Sequence, residues 1–252
     1  MREGDLVLLY VDSRRSKLFK AVRGVRVSTD KGSLNADDVL GLPWGSKVKL
    51  STGVEAYVLK PTLNDILMKG FRRVTQVVYP KDISFVINLL SIAPGSKVLE
   101  SGVGTGFMTA ALAYHVGASG KVFGYEVRED FARTALRNLR LAGLDDRVDI
   151  KVRDIREGVD ESGLDAAFLD LPDPWEALQE VRKALRPSSP AVIFTPSANQ
   201  VMKSLRALRS GPFLDLRVYE VILREYQADP EALRPRTLGV MHTGYVVFFR
   251  VV

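Results

Sequence analysis

Three glycines, a set of strand-end carboxylates and two prolines carry most of the chemistry legible in this chain. Gly102, Gly104 and Gly106 in ESGVGTG follow the apolar run KVLE and precede a helical pattern, where a nucleotide or cofactor loop belongs. Glycine suits that loop because a ligand must approach its backbone closely. The spacing is G-x-G-x-G, and Phe107 holds the place where a dinucleotide fingerprint wants its last glycine, which disfavours a nicotinamide oxidoreductase. Glu126 closes the run KVFGYE, 20 residues after Gly106, where a carboxylate can accept both hydrogen bonds of a ribose diol. Asp154, in KVRDI, could accept from an adenine amine while Ile155 packs on the ring; pairing with Arg153 or Arg156 is the alternative. A glycine loop and two acids on three successive strand ends, with no phosphate-binding lysine, describe an adenosine pocket that fits S-adenosylmethionine better than ATP.

Asp170 ends a fourth apolar run in LDLPDPW, and the carboxyl end of a central strand is where open α/β sheets keep their chemistry. Pro172 and Pro174 fix the backbone beyond it and lack N–H donors, giving a rigid rim able to hold a planar substrate. Asp173 reads as a helix cap ahead of Pro174, and Trp175 as packing. The chain has no cysteine, which excludes disulfides, thiolate metal sites and cysteine nucleophiles; with two histidines, His115 and His242, no metal site is expected.

The elements that must position these residues follow from the patterning. At 252 residues, one large domain or a large and a small one are expected, at ~150 residues per domain. With 46% hydrophobic and 26% charged residues the composition is that of a globular protein. The first 60 residues read as short strands, DLVLLYV, KLFKAVRGVRV, KVKL and VEAYVLK, separated by turns at DKG and LPWGSK, so residues 1–65 are expected to form a small β-barrel-like domain. Residues 66–80 read as a linker. From there apolar strands alternate with amphipathic helices, the pattern of a parallel sheet covered on both faces. Asp82 reads as the cap of the first helix, with Ile83, Val86, Ile87 and Leu90 on one face; Phe107 to Val116 form the second, and a third carries Phe131, Ala135 and Leu139 and stops at Gly143. Ala177, Leu178, Val181 and Leu185 define a fourth helix, and Ser197 with Gln200 reads as a capping box. FLDLRVYEVILREY and TGYVVFFRVV suggest a terminal antiparallel pair on the sheet edge, which separates the methyltransferase variant of a doubly wound sheet from a dehydrogenase.

RRVTQVVYPKDISFVI, PGSKVLESGVGTGFMTAALA, LDLPDPW and HTGY, with DKGSLNADDVLGLPWGSKVKLSTGVEAYVLKPTLNDILMK before them, resemble the tRNA adenine-58 N1-methyltransferase family over nearly the whole chain. The resemblance implies a class I S-adenosylmethionine-dependent α/β fold with a seven-stranded, Rossmann-like sheet behind a small β-domain. It also implies a homotetramer and methylation of N1 of a T-loop adenosine in tRNA, with position 57 as a second target in archaeal-type members. Carried over by residue, Asp170 matches the family's catalytic aspartate and Tyr79 the tyrosine that positions the base. Glu126 and Asp154 match its ribose and adenine acids, and Gln76 and the loop Glu100, Gly102, Val103, Gly104, Thr105 and Gly106 its cofactor contacts. Pro172 of the rim and His242 in MHTGY fall on the substrate side.

Residues 1 to 80 hold 14 Lys/Arg against 8 Asp/Glu, and the remainder is balanced at 22 against 22, so the whole net charge of +6 is N-terminal. That asymmetry fits a region that holds RNA, with Arg14, Arg15, Lys17, Arg72 and Arg73 as candidate phosphate contacts; a solvated basic surface reads the same way. The N-terminal run is too charged for a signal peptide and no stretch is long enough for a membrane span, so a cytoplasmic protein is expected. A methyltransferase of protein or small molecules and a noncatalytic tRNA-binding subunit are the alternatives; LDLPDPW argues against the first and the intact Asp170, Glu126 and glycine loop against the second.

Overall fold

The structure, a computed structural model, describes every residue except 238. The chain divides into two compact units, Met1–Phe71 and Arg72–Val252.

In the first unit, Leu6–Asp12 (β1) and Arg15–Lys20 (β2) form one hairpin, and Arg26–Thr29 (β3) and Gly32–Asn35 (β4) a second. Ser46–Lys49 (β5) and Glu55–Leu59 (β6) complete an antiparallel sheet of order β2-β1-β6-β5. Alternate side chains, among them Val7, Leu9, Phe19, Val48, Ala56 and Val58, point into one apolar core with Val27 and Leu34 of the second hairpin. KLFKAVRGVRV, read as one strand, is two: Gly24 has a φ of +74° and turns the chain between β2 and β3. Thr62 and Asp65 form a capping box over Leu63–Asp65 (α1), which runs on into a π-helical turn at Ile66–Gly70 with Leu67 buried. Part of the stretch read as a linker is therefore helical and belongs to this unit, while 72–79 runs without helix or strand.

The second unit opens with Pro80–Leu89 (α2), followed by Lys97–Ser101 (β7), Phe107–Val116 (α3), Lys121–Glu126 (β8), Glu129–Ala142 (α4) and Val148–Val152 (β9). Then come Ala166–Leu169 (β10), Leu178–Ala184 (α5), Pro190–Thr195 (β11), Ala198–Arg209 (α6), Phe213–Glu220 (β12) and Tyr245–Val251 (β13). The seven strands run in the order β12-β13-β11-β10-β7-β8-β9, and β13 alone is antiparallel to its neighbours. After β7 the chain winds outward to β8 and β9; it then returns to β10 and continues to the other edge. The loops leaving β7 and β10 diverge there, opening a crevice at the carboxyl ends of the strands.

Four local readings are corrected. Asp82 does not cap α2: Tyr79 takes the N-cap position ahead of Pro80, and Asp82 is buried inside the first turn on side-chain partners. Ser197 stands at the N-cap of α6 without a side-chain cap, because Gln200 is turned to Thr195 and Pro172. The run FLDLRVYEVILREY stays in the sheet only to Glu220, beyond a bulge at Asp215, whose φ is +56°. Asp173 does precede Pro174 at a helical start, but its side chain makes no cap hydrogen bond.

Candidate active site

Gly102 leaves β7 at the switch between β7 and β10, donating its N–H to the Tyr125 carbonyl at 3.0 Å. A Cβ there would stand 2.0 Å from the Asp170 carbonyl oxygen, so the two diverging loops touch backbone to backbone. Gly106 has a φ of +83° at the N-cap of α3, and a Cβ would come within 3.3 Å of Ala135 Cα. These two glycines are therefore required by the protein's own packing as well as by any ligand. Gly104 differs, since a Cβ would meet only the Thr75 hydroxyl, at 3.4 Å.

Glu126 is buried at the end of β8. Its Oε2 accepts from Gly104 N at 2.8 Å and its Oε1 from Arg128 N at 3.0 Å, which aims the carboxylate at the loop and leaves acceptor capacity on both oxygens. Asp154 is gripped by Arg156, whose Nη2 donates to Oδ2 at 2.6 Å and whose Nε lies 3.0 Å from both oxygens; the guanidinium holds the carboxyl below its ordinary value. Arg156 Nη1 also reaches Glu176 at 2.5 Å. The pairing weighed against adenine recognition is thus present, and any amine at Asp154 shares it with Arg156. With Ile155, Val127, Leu171 and Pro172, the side chains of Glu126, Asp154 and Arg156 line an open cleft at the carboxyl ends of the strands.

A narrow chamber of about 30 Å³ lies on the other side of Gly102, lined by Thr75, Gln76, Val78, Gly104, Thr105 and Asp170 among others. Asn138, inside α4, braces it: its Nδ2 donates to the Arg72 and Thr105 carbonyls and its Oδ1 accepts from Arg72 N, all within 3.0 Å. Sequence reading missed Asn138, and the only signal was a polar residue on the apolar face that carries Ala135 and Leu139. Glu100, just before the loop, is fully buried. Burial pushes its carboxyl up to about 8; the Thr109 hydroxyl pulls it back without reaching hydrogen-bond geometry, and the charges of Asp170 and Glu126 raise it further. Both Glu100 oxygens and the hydroxyls of Thr75 and Thr105 lack a partner. Buried polar groups are normally satisfied, so these four atoms are exceptions to the rule.

Asp170 donates its N–H to Ser101 O at 2.9 Å, and burial together with the nearby Glu126 pushes its carboxyl up to about 7. Beyond it, Gln200 Nε2 donates to the Pro172 carbonyl at 2.8 Å and its Oε1 accepts from Thr195 at 2.7 Å, tying the proline rim to the end of β11. Trp175 packs on the core with Lys203 Nζ 4.8 Å from its ring centroid. His242 is exposed: Nδ1 lies 2.6 Å from Glu220 Oε1 and Nε2 3.2 Å from the Pro196 carbonyl, and the Glu220 carboxylate raises its pKa. Tyr79 is half-buried at the head of α2. Among the described residues no group of three or more His, Asp or Glu could hold a metal ion, and no helix is long and apolar enough to cross a membrane.

A glycine loop at the switch point of a seven-stranded sheet with one antiparallel strand, beside the strand-end acids Glu126 and Asp170, defines a class I S-adenosylmethionine-dependent methyltransferase. The family model described as the tRNA methyltransferase complex GCD14 subunit matches residues 55–245, and the chain belongs to that tRNA methyltransferase family. It is 34% identical over 269 aligned positions to the tRNA (adenine(57)-N(1)/adenine(58)-N(1))-methyltransferase TrmI of Methanocaldococcus jannaschii, covering 96% of this chain and 94% of that one. Among solved structures it superposes on the tRNA (m1A58) methyltransferase TrmI of Aquifex aeolicus with a TM-score of 0.87 at 34% identity, over 100% of this chain and 98% of that one. A Thermotoga maritima protein described as an S-adenosylmethionine-dependent O-methyltransferase gives 0.93 at 40% identity, over 100% and 94%.

Proposed function

We propose that this chain methylates N1 of an adenosine in the T-loop of tRNA, at position 58 with 57 as a neighbouring second target. The observation that carries the reading is Asp170, a carboxyl raised to about 7 at the switch point, in backbone contact with the glycine loop. S-adenosylmethionine, when bound, supplies an electrophilic methyl group on a sulfonium. Glu126 and Asp154 would hold its ribose and adenine, with Ile155 against the ring. Gln76, Glu100 and the loop Gly102, Val103, Gly104, Thr105 and Gly106 would hold its amino-acid end, where an ammonium group suits the partnerless Glu100 carboxyl. The chain's own work is alignment in a water-poor, preorganised field. Asp170 accepts a hydrogen bond from the exocyclic amine of the target base, orients the ring, stabilises the charge that methylation places on it, and takes the amine proton afterwards. Tyr79, Pro172 and His242 form the base-side wall.

The target adenosine is stacked within folded tRNA, so it must flip out to react. Residues 1–65 and the basic side chains Arg14, Arg72 and Arg73 hold the backbone, Arg73 with its guanidinium over the Phe107 ring at 5.2 Å. Arg15 is engaged with Asp12 and Asp30, and Lys17 with the Ser28 carbonyl, so these two contribute charge more than free hydrogen bonds. The family resemblance supports a homotetramer, and the tRNA substrate supports a cytoplasmic home. The experiment is incubation with methyl-labelled cofactor and unmodified tRNA transcript, digestion, and nucleoside identification by mass. N1-methyladenosine mapped to the T-loop is expected. A 2′-O-methylated nucleoside, or cofactor binding without RNA methylation, overturns the substrate assignment.

A further inference from the structure

Val221 and Thr243, at the two ends of the segment that joins β12 to β13, are gripped by one buried ammonium. Lys81 Nζ donates to the Val221 carbonyl at 2.6 Å, to Thr243 Oγ1 at 2.6 Å and to Asp82 Oδ1 at 2.9 Å. An ammonium has three donors, and all three are used. Thr243 Oγ1 in turn donates to Asp82 Oδ2 at 2.7 Å. The Lys81 and Asp82 side chains are 6% and 0% exposed, so this is a closed polar knot between the first turn of α2 and a segment 161 positions away. Tyr79 heads the same turn, its carbonyl accepting from Asp82 N and Ile83 N.

Each residue of HTGY has its own partner, and Thr243 alone enters the knot. His242 is anchored on Glu220 and Pro196, with its ring 5.0 Å from Tyr245. Thr243 enters the knot. Gly244 leaves room for Phe194, whose ring a Cβ would meet at 2.5 Å, and Tyr245 starts β13. The β11·β13·β12 ladder already holds the strands themselves, and a buried ion pair adds little stability over apolar packing of the same volume. What it supplies is placement.

The geometry points to Lys81, Asp82 and Thr243 as positioning residues that fix the segment bearing His242 against the helix headed by Tyr79, and so set the base-side wall of the site. The inference rests on the proposed tRNA methylation. None of the three needs to touch substrate; they act through Tyr79 and His242.

Thr243→Val removes the hydroxyl and keeps the shape, and Thr243→Ser keeps the hydroxyl. The valine variant is expected to lose tRNA turnover by at least about tenfold with cofactor affinity unchanged, since Glu126, Asp154 and the glycine loop, which carry most of the proposed cofactor contacts, make no contact with the knot. Tryptic cleavage after Arg224 and Arg236 in the unliganded protein is expected to quicken, and the serine variant is expected to restore both readouts. Wild-type turnover in the valine variant overturns the inference, as does an equal loss of cofactor affinity. Should the valine variant not accumulate, Thr243→Ala takes its place; failure of both to fold overturns the inference by making the knot a requirement of folding. Wild-type enzyme inactive on tRNA in the same assay would instead overturn the reading of the substrate.

Discussion

The two sides of the switch point are built differently. On the β7–β8 side, the loop Gly102–Gly106 is held by main-chain contacts and by Glu126, and the nearby polar groups of Glu100, Thr75 and Thr105 are left without partners. On the β10–β13 side, Pro172, His242 and Thr243 are held by side chains from distant segments: Gln200, Glu220, Lys81 and Asp82. One side is a backbone cradle with unspent polar capacity, and the other a wall whose polar groups are already tied. A ligand common to a whole class can be met by backbone geometry, whereas a macromolecular substrate needs a surface assembled from several segments.

The largest effect expected from breaking this contrast is at Gly102. Gly102→Ala sets a Cβ 2.0 Å from a carbonyl in a neighbouring strand loop, where neither backbone can yield, so calorimetry should show loss of cofactor binding and a stability loss of roughly 3 kcal/mol. Gly104→Ala, facing only a hydroxyl, should cost about 1 kcal/mol and keep binding.

Asp170→Asn should lower kcat by about 10²-fold or more with little change in cofactor affinity, measured by single-turnover methylation. The carboxylate is the working form, and its value in the free enzyme is about 7. The profile of kcat/KM should therefore rise with pH and level off above that value, and the asparagine variant should flatten it. A bound cation lowers a nearby acid's pKa, so the kcat profile should lie at lower pH.

Glu100 sharpens the comparison through stability. Its carboxyl is raised from 4.5 to about 8, so folding favours the protonated form; the contribution to stability is full below 4.5 and lost as pH rises through about 8. Thermal melts of unliganded Glu100→Gln should show a higher midpoint than wild type, by ~5 °C or more, above that pH, with the difference shrinking toward the acid side. Cofactor affinity should fall in the same variant, which separates a ligand role from a structural one.

The smallest effect is at Arg156. Arg156→Ala frees Asp154 from its bidentate partner; its carboxyl should return toward the ordinary value, and cofactor affinity should change by about tenfold or less, read by equilibrium dialysis. A change as large as that of Gly102→Ala would erase the distinction between cradle and wall.

Legibility in the sequence follows the same division. The glycine loop, Glu126 and Asp170 could be read because each sits next to the strand that positions it, and apolar alternation marks where strands end. The same local rules failed at Asp82 and Gln200, read as caps from spacing. Both side chains are spent on partners far along the chain, Asp82 on Thr243 and Gln200 on Pro172, and a capping pattern carries no information about such competitors. Gly24 was passed over inside a strand pattern for the related reason that its φ is a property of the turn it makes.

The sequence by itself determined the alternation of strands and helices, the glycine-rich turn and the order of the strand-end acids, because these depend on neighbours within one or two turns of chain. Only the tertiary structure decided that Gly102 touches the Asp170 carbonyl, that Glu100 is left without a partner and that one ammonium holds both Val221 and Thr243. Each of those depends on desolvation and close approach between segments that only the folded sheet brings together.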